Sequence, residues 1–373
     1  MLKSGEKLGA FIIPTGVGAA IGGFAGDASC YAAKFAKISK LIVNPNVVNA
    51  GCFSGIKENM FYVEGFSVDE FFKGNINLIP SQHNKIGVVF DKAIPEDVLN
   101  VHINTVRAVN CVYGVDIPHC EITDEEIGVE FKMEDSGIST GSVKNVETML
   151  EAAKKLLEKG CNAIALVCLF DNPEEDNTDY ANGVGTDPVG GIEAVLSHYI
   201  SKELRVPCAH SPAFIDYQIY PDLVSGKAAS EYITPTFLPC ILLGLNNAPL
   251  ITLSGVGSVG YQSLNPLPLR ENLLTSHCHS EHNIQSSFAN AQDDRCEESL
   301  NNEKSLSINN LDYLVMPYNS LGSTPVFEAL KREIPVYAVK ENTTALNVSP
   351  EKISDKIIVV ETYDECLDRI ITN

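Results

Sequence analysis

The sequence predicts an α/β protein whose mainly parallel, Rossmann-like sheets carry helices on both faces and form two lobes around a cleft. Two observations predict this class. Several short segments run apolar without alternation, which is typical of strands buried on both faces of a parallel sheet. Between them lie segments in which apolar residues recur with the helical period. The clearest pair is the periodic segment 146–158, which the apolar run 163–170 follows.

Each predicted element follows from its own segment of sequence. The predicted strands are the short apolar runs 9–13, 41–43, 85–90, 163–170, 206–209, 313–317, 336–339 and 356–360. The predicted helices are the periodic segments 18–38, 95–112, 146–158, 189–204, 325–333 and 364–371. For the helix over 146–158, Asn145 is a candidate N-cap and Gly160 a candidate C-terminal stop. Because strands and helices alternate, we expect crossover connections between parallel strands.

The length of the chain suggests more than one lobe. Its 373 residues give room for two domains of about 150 residues each. We expect an N-terminal α/β lobe over 1–140 and a second α/β lobe formed by 141–262 together with 311–373. Residues 271–310 contain no glycine, no proline and no sustained period, and 276–300 resembles a translated bacterial palindromic repeat. We therefore expect 271–310 to be a disordered, low-complexity insertion at the surface.

The acidic balance of the chain excludes several classes of partner. There are 48 acidic and 27 basic residues, which leave a formal net charge of −21. This charge repels nucleic-acid phosphates and anionic lipid, so we expect no nucleic-acid partner and no membrane association. The remaining candidate partners are a small-molecule ligand and further copies of the same chain, in a homo-oligomer.

The cysteines and the N-terminal segment both favour the cytoplasm. None of the 11 cysteines forms a CxxC pair, and most lie in apolar segments, as free cysteines do in a reducing compartment. Lys3 and Lys7 precede an apolar stretch, as in a signal peptide, but Pro14, the glycines after it and Asp27 interrupt that stretch. We therefore expect a cytoplasmic protein.

No metal site and no particular cofactor are predicted. The His-Cys-His sequence at 277–279 offers ligand side chains, yet no second ligand pair follows it at zinc spacing. The acidic run 171–179 could bind a divalent cation, although such runs are more often solvated loops. The glycines of 16–22 have the spacing GxGxxxG, one residue longer than a dinucleotide fingerprint, and the second strand ends in Asn44 rather than a carboxylate.

Polar residues follow most of the predicted strands. In an open parallel sheet these carboxyl-end loops meet at one edge, where ligands bind. The candidate ligand-binding residues in these loops are Thr15, Gly16, Asn44, Asn46, Ser211, Asn319, Ser323, Thr324 and Asn342. The alternative is that Asn, Ser, Thr and Gly occur there only as turn and cap residues.

The glycine-rich loop 183–191 is the strongest candidate for ligand contact. Asp187 is a good N-cap, with Pro188 at the first helical position. Gly190 and Gly191 follow, and glycines in a first helical turn destabilise the helix. Their presence indicates a ligand that lies against the backbone. We therefore predict an anion-binding loop at this helix start.

Three side chains are the candidate catalytic residues. His210 lies at the predicted end of a strand, where it could act as acid or base. Glu193, in the first turn of the helix after the glycine-rich loop, would repel an anion unless it is protonated or handles a proton. Asp187, the N-cap of the same helix, is the third candidate catalytic residue. We expect the loops 187–191 and 322–324, both at helix starts, to face one cleft and to contact one ligand.

Two local resemblances point to known enzyme classes. Residues 153–170 are similar to the helix and strand that lead to the first catalytic cysteine of aspartate/glutamate-type racemases, which would make Cys168 an acid or base. The alternative is a cysteine packed in the core, and no motif assigns Cys208 or Cys240 either role. Residues 314–339 are similar to the strand, Gly-Ser-Thr loop and helix with which nucleotide-sugar-binding glycosyltransferases hold a diphosphate.

The chain also resembles a known family in several segments. These are IIPTGVGAAIGGFAGDA, NPNVVNAG, YVEGF, DPVGGIEAVLSH, VPCAHSPAF, TFLPCILLGL and ENTT. Together they resemble the bacterial and cyanobacterial family of uncharacterised proteins catalogued as domain of unknown function 3326, over nearly the whole chain except 271–310. The resemblance implies one shared architecture and no particular activity.

The residues themselves favour an enzyme that acts on a small anionic metabolite, a carboxylate or a phosphate, bound in the cleft at the strand-end loops. The alternative is a non-catalytic metabolite-binding or regulatory protein that uses the same cleft. The sequence assigns no reaction class.

Overall fold

Two parallel sheets with helices around them form the core of the protein, which confirms the predicted α/β class. The computed structural model describes residues 7–24, 26–81, 83–170, 179–216, 222–254 and 305–372. Within these residues, no helix has both the length and the apolar character that crossing a bilayer requires.

The strands and helices alternate along most of the chain. The strands are Lys7–Phe11 (β1), Ser39–Val43 (β2), Asn49–Ala50 (β3), Phe53–Ser54 (β4), Met60–Tyr62 (β5), Ile76–Ile79 (β6), Ile86–Phe90 (β7), His119–Ile122 (β8), Val129–Met133 (β9), Ser139–Val143 (β10), Ala163–Phe170 (β11), Cys208–Phe214 (β12), Leu250–Leu253 (β13), Tyr313–Pro317 (β14), Val336–Val339 (β15) and Ile358–Val360 (β16). The α-helices are Ser29–Phe35 (α1), Pro45–Val48 (α2), Gly65–Lys73 (α3), Glu96–Tyr113 (α4), Val146–Glu158 (α5), Gly190–Leu204 (α6), Ala229–Tyr232 (α7), Leu238–Asn246 (α8), Thr324–Lys331 (α9) and Tyr363–Thr372 (α10).

The larger sheet has six parallel strands in the order β16-β15-β14-β1-β2-β5. Strand β1 lies inside it, because it pairs with β14 on one side and with β2 on the other. This pairing corrects one expectation: the strands of 311–373 join the N-terminal strands, not the sheet that contains 163–170. Parallel partners are separated by long crossovers, so closeness in sequence does not reveal which strands pair.

The smaller sheet has four parallel strands in the order β12-β11-β7-β8, and its central strand β11 is covered on both faces. Leu166 and Cys168 pack with apolar residues of α5 and α6. Ala165 and Val167 pack on the other face, with residues of α4 and α8. This period of two explains why the strand reads as a continuous apolar run. The same core extends from α8 to β1, β2 and β5, so α8 packs between the two sheets.

Two predicted elements, both near the cavity described below, differ from the observed ones. The predicted helix 18–38 forms only over Ser29–Phe35, and turns occupy the part before it. Gly18 and Gly22 have φ of +59° and +82°, left-handed values that an α-helix excludes. The predicted strand 206–209 is also longer, because β12 continues to Phe214.

The insertion predicted over 271–310 ends earlier than expected. Leu306 is buried and forms a β-bridge with Leu78, and Ile308 is buried in a 3-10 turn. Both pack in the core beside the larger sheet. The remainder of the predicted insertion, 271–304, lies outside the described residues.

Candidate functional site

A cavity of about 750 Å³ lies between several parts of the fold. Its walls come from the turns after β1, from α2 and the strand β3 that follows, from β12 with the loop that leads into α6, from 222–224, and from α7 with the segment that leads into α8. The predicted site residues that line it are Thr15, Gly16, Asn46, Asp187, Gly190, Glu193 and His210. All three candidate catalytic residues therefore share one cavity with part of the candidate ligand-binding set.

His210 is positioned by the alternation of β12. Residues 210, 212 and 214 of this strand line the cavity, while Ser211 points away, is buried, and donates its hydroxyl to Pro212 O at 3.3 Å. His210 Nδ1 lies 2.9 Å from Ser197 Oγ on α6. Ser211, which was expected to bind ligand, is therefore a core residue.

Ser197 links the two possible tautomers of His210 to its own hydroxyl proton. When Ser197 Oγ donates to Ala194 O, which lies at 3.2 Å, it accepts from His210 Nδ1–H. The lone pair of the imidazole is then on Nε2. That nitrogen lies 4.0 Å from Glu193 Oε2, which is too far for a direct hydrogen bond.

Glu193 and His210 are both buried in their neutral forms. Burial raises the pKa of Glu193 well above its usual range, and the charges of Asp187 and Glu231 raise it further. Burial lowers the pKa of His210 to about 3, and His198 adds to this. The side chains are 8% and 12% exposed, so solvent does little to stabilise the charge of either. A protonated carboxyl thus faces a neutral imidazole at neutral pH.

The start of α6 does not present free N–H groups to the cavity. Asp187 Oδ1 accepts from Val189 N–H at 3.0 Å, and its carboxylate also accepts from Gly190 N–H. Ser139 Oγ accepts from Gly191 N–H at 3.0 Å. The groups that an anion would use are therefore occupied by the chain's own side chains, which contradicts the predicted anion-binding loop.

Gly191 has a packing role in place of the predicted ligand contact. A Cβ at this position would lie 2.0 Å from Ser139 O, so no side chain fits there. Gly190 is different: it lines the cavity, and a Cβ on it would meet Asp187 Oδ2 at 3.1 Å. Of the two glycines, only Gly190 adjoins ligand space.

The predicted site residues of the C-terminal strands lie away from this cavity. The described lining includes none of Asn319, Ser323, Thr324 and Asn342, so the loops 187–191 and 322–324 do not share a cleft. Asn319 donates to the carbonyls of Thr344 and Leu346, Ser323 begins α9, and Thr324 hydrogen-bonds to Asp69. These polar groups stabilise loops and helix starts, which is the alternative that the sequence left open.

Asn342 and Asn44 stabilise the turns after β1 from behind. Asn342 is fully buried, and it exchanges two hydrogen bonds with the backbone of Ile21 and donates a third to Tyr363 Oη. Asn44 does the same for Ile13, accepting from its N–H and donating to its carbonyl. Both amides hydrogen-bond to backbone next to the cavity and hold it in place, and the described cavity lining includes neither residue.

The candidate cysteines are buried thiols. Burial raises the pKa of Cys168 and of Cys208 well above its usual range, and the described lining of the cavity includes neither residue. Cys240 does line the cavity, but burial raises its pKa to about 12 and its Sγ donates to Phe237 O at 3.1 Å. A protonated thiol is a poor nucleophile and a poor base, so packing is the role that these environments support.

The sequence reasoning missed several residues around His210. Ser197 carries a readable signal, because it lies four positions after Glu193 and so shares its helix face. Tyr180 and Glu231, joined by a hydrogen bond of 3.0 Å from the tyrosine hydroxyl, carry none. In the described part of the chain, no group of three or more His, Cys, Asp or Glu could hold a metal ion. The expected absence of a metal stays a prediction.

Comparisons with known proteins give a family without an activity. A family model described as protein of unknown function (DUF3326) matches residues 9–265 and 286–373. An uncharacterized lipoprotein of Synechococcus sp. (strain ATCC 27144 / PCC 6301 / SAUG 1402/1) is 32% identical over 361 residues, which cover 95% of this chain and 88% of that protein. No solved structure matches the chain. The chain therefore belongs to the DUF3326 family.

Proposed function

We propose that the chain is an enzyme that moves a proton on a small molecule bound in the cavity, with His210 as base and Glu193 as acid. One observation carries this proposal: the two side chains face each other at 4.0 Å in the cavity wall, each in its neutral form. A neutral imidazole accepts a proton and a protonated carboxyl donates one, so both roles exist at the same pH.

The proton balance of such a cycle closes within the pair. His210 Nε2 takes a proton from one atom of the ligand, and Ser197 Oγ accepts a hydrogen bond from Nδ1–H of the resulting imidazolium. Glu193 gives its proton to another atom of the ligand. A proton then passes from His210 to Glu193 and restores the starting state. The gap of 4.0 Å between Nε2 and Oε2 leaves room for a bridging water or ligand atom.

The anionic metabolite expected from the sequence receives no support from this cavity. Asp187 and Ser139 occupy the N–H groups of the α6 start. The described lining residues include no lysine and no arginine. The proposal is therefore made for a small molecule without an anionic group.

We also propose that the protein acts in the cytoplasm with its N-terminal segment retained. The relative from Synechococcus is named a lipoprotein. In this chain, cleavage before Cys30 would remove β1, which pairs with both β2 and β14, and the turns that line the cavity. Intact-mass analysis of the protein from its native cells tests this. We expect an unmodified Cys30, and lipid on that residue would contradict the proposal.

Hydrogen–deuterium exchange into a bound ligand tests the proposed proton transfer. Ligands are first found by thermal shift, because a ligand at 100 times its Kd stabilises the fold by about 2.7 kcal/mol. Each is then incubated with the protein in D₂O and followed by NMR. We expect deuterium at one position of the ligand, and a loss of about 10² to 10⁴-fold in that rate in His210→Gln.

The control for this experiment is His83→Gln, which changes an exposed histidine outside the cavity lining. Its exchange rate should equal that of the unchanged protein. If a ligand binds the cavity yet neither exchange nor turnover depends on His210, the protein is instead a non-catalytic binding protein.

A further inference from the structure

Carboxylates dominate the charged groups of the cavity wall. Asp187, Glu193 and Glu231 all line it, from the loop before α6, from α6 and from α7. They are near enough to interact, since the charges of Asp187 and Glu231 both raise the pKa of Glu193. Three carboxyl groups that share a desolvated wall repel each other when ionised, and a positive charge between them removes that repulsion.

One of these carboxyl groups lacks a partner. Glu193 is 6% exposed, and its Oε1 has no hydrogen-bond partner among the described residues. An unpaired buried oxygen destabilises a fold, so its presence in a cavity wall indicates a donor that arrives with a ligand. This observation is independent of the charge count, and it also points to a ligand that donates hydrogen bonds.

Aromatic rings also line the cavity beside Glu231, and they are called the aromatic wall here: Tyr180 donates its hydroxyl to Glu231 Oε1 at 3.0 Å. Phe24, Tyr180 and Tyr232 line the cavity, and the ring centroids of Phe24 and Tyr180 are 4.8 Å apart. Lys227 Nζ lies 5.5 Å from the centroid of the Phe24 ring, so this ring already interacts with a cation of the chain itself. Aromatic faces attract ammonium groups, so this wall favours the same sign of charge as the carboxylates do.

We propose that the ligand of this cavity carries an organic ammonium group, which binds Asp187, Glu193 and Glu231 beside the aromatic wall. This inference rests on the proposed function of the same site and names its substrate class. A divalent metal ion is the other cation to consider, but no group of three or more His, Cys, Asp or Glu in the described ranges could hold one. The net charge of −21 also draws cationic ligands toward the protein.

Ammonium binding is coupled to proton release from the carboxyl cluster, defined as Asp187, Glu193 and Glu231. A bound cation favours the ionised form of Asp187, whose pKa burial raises, so a proton leaves this carboxyl as the ligand enters, while Glu193 keeps the proton that the proposed transfer uses. Below the pKa at which the cluster ionises, affinity therefore falls about tenfold per pH unit for each proton released. His210, Cys168 and Cys240 are also near Glu193, and they stay neutral near neutral pH; the carboxylates of Asp216 and Asp222 line the same cavity.

The test uses the full chain and a panel of simple probes. The cations are mono- and diamines of two to six carbons and tetramethylammonium; the comparison set is dicarboxylates of the same lengths, inorganic phosphate, Mg²⁺ and Zn²⁺. Thermal shift at pH 6 and pH 8 is followed by calorimetry in two buffers of different ionisation enthalpy. We expect amines alone to stabilise the protein, more strongly at pH 8, with proton release in the calorimeter.

Matched amide variants locate the binding. Glu231→Gln should raise the Kd of the best amine about tenfold or more, because a carboxylate charge is lost. Glu193→Gln should raise the same Kd, because an amide that also donates hydrogen bonds replaces the carboxyl group that contacts the ammonium. Glu158→Gln, an exposed carboxylate at the end of α5, should leave that Kd unchanged. Glu231 is outside the proton-transfer pair, so its variant tests the charge of the ligand separately from catalysis.

Three results would overturn the inference. These are stabilisation by dicarboxylates, phosphate or a metal ion rather than amines, no stabilisation by any amine at millimolar concentration, or amine binding that survives in both amide variants. None of them touches the proposed function, which depends on His210-dependent exchange. A ligand without positive charge whose exchange is lost in His210→Gln would refute the ammonium class and leave proton transfer standing.

Discussion

The buried pair of His210 and Glu193 makes a specific prediction about how stability depends on pH. In the unfolded chain a glutamate titrates near 4.5 and a histidine near 6.5, so between these values the pair holds one proton, on the histidine. In the folded protein it also holds one proton, on Glu193. Because the proton count is the same in both states, this pair contributes no slope to the free energy of unfolding from about pH 4.5 to 6.5.

Each single variant removes one of the two groups whose changes in proton count cancel. In Glu193→Gln only His210 remains, whose pKa falls from 6.5 to about 3 on folding. Because the folded protein keeps His210 neutral, its contribution to the free energy of unfolding is greatest above pH 6.5 and decreases as the pH falls toward 3. At about 1.4 kcal/mol per pKa unit, the free energy of unfolding should drop by about 2 kcal/mol from pH 7 to pH 5. In His210→Gln only Glu193 remains, with a raised pKa, so stability should fall as the pH rises above 4.5.

Urea unfolding at pH 5, 6 and 7 measures these slopes. The quantity to compare is each variant minus the unchanged protein, because Asp27 and Glu64, whose pKa values burial raises to about 6 and about 7, titrate in all of them. Glu158→Gln and His83→Gln are exposed controls and should follow the unchanged protein. If the two pair variants show no slopes of opposite sign, the protonation states assigned to the site are wrong.

Four further predictions follow from the packing and the comparisons. Gly191→Val should destabilise folding by about 3 kcal/mol or more, since even a Cβ meets Ser139 O at 2.0 Å, whereas Gly190→Ala should cost about 1 kcal/mol or less; chemical denaturation compares them. Asn342→Ala should cost about 2 to 4 kcal/mol in the same assay, because it leaves three partners of a buried amide unpaired. Deleting 266–285, the segment that the family model skips, should leave the melting temperature within a few degrees, and a drop of ten or so would contradict this. Elemental analysis should find no stoichiometric zinc in the purified protein.

Sequence predicts best the helices and strands whose apolar pattern follows from burial in one sheet or against it. Helix α5 was predicted with its observed bounds, and so was β11, because each has one unambiguous apolar pattern. The helix expected over 18–38 forms only in part, for a tertiary reason. Its small residues are compatible with a helix, but Gly18 is left-handed in a turn that closes against Thr186 of the loop before α6, and Gly22 is left-handed where it packs against Ile13. That requirement is tertiary, so no local pattern encodes it.

Some residues of the candidate site were likewise predictable from local sequence, and others were not. His210, Glu193 and Asp187 were predicted from strand ends and a helix start, and they do meet in one cavity. Asn319 and Asn342 have the same local signals, yet they hydrogen-bond to the backbone of other loops, at Leu346 and at Ile21. A polar residue after a strand can satisfy either a ligand or a loop, and the choice depends on which strands are neighbours. That pairing is set by crossovers that a single sequence does not show.

The geometry of α6 and β12 explains why two acid–base groups remain neutral so close together. Glu193 and Ser197 are one turn apart on α6, and β12 places His210 between them with its Nδ1 hydrogen-bonded to Ser197. If Glu193 instead passed its proton to His210, the pair would become an ion pair of the same total charge. The cavity can therefore exchange a neutral pair for a charged one without taking up or losing a proton. A charged ligand beside Glu193 biases this exchange directly, which links the sign of the ligand's charge to the reactivity of His210.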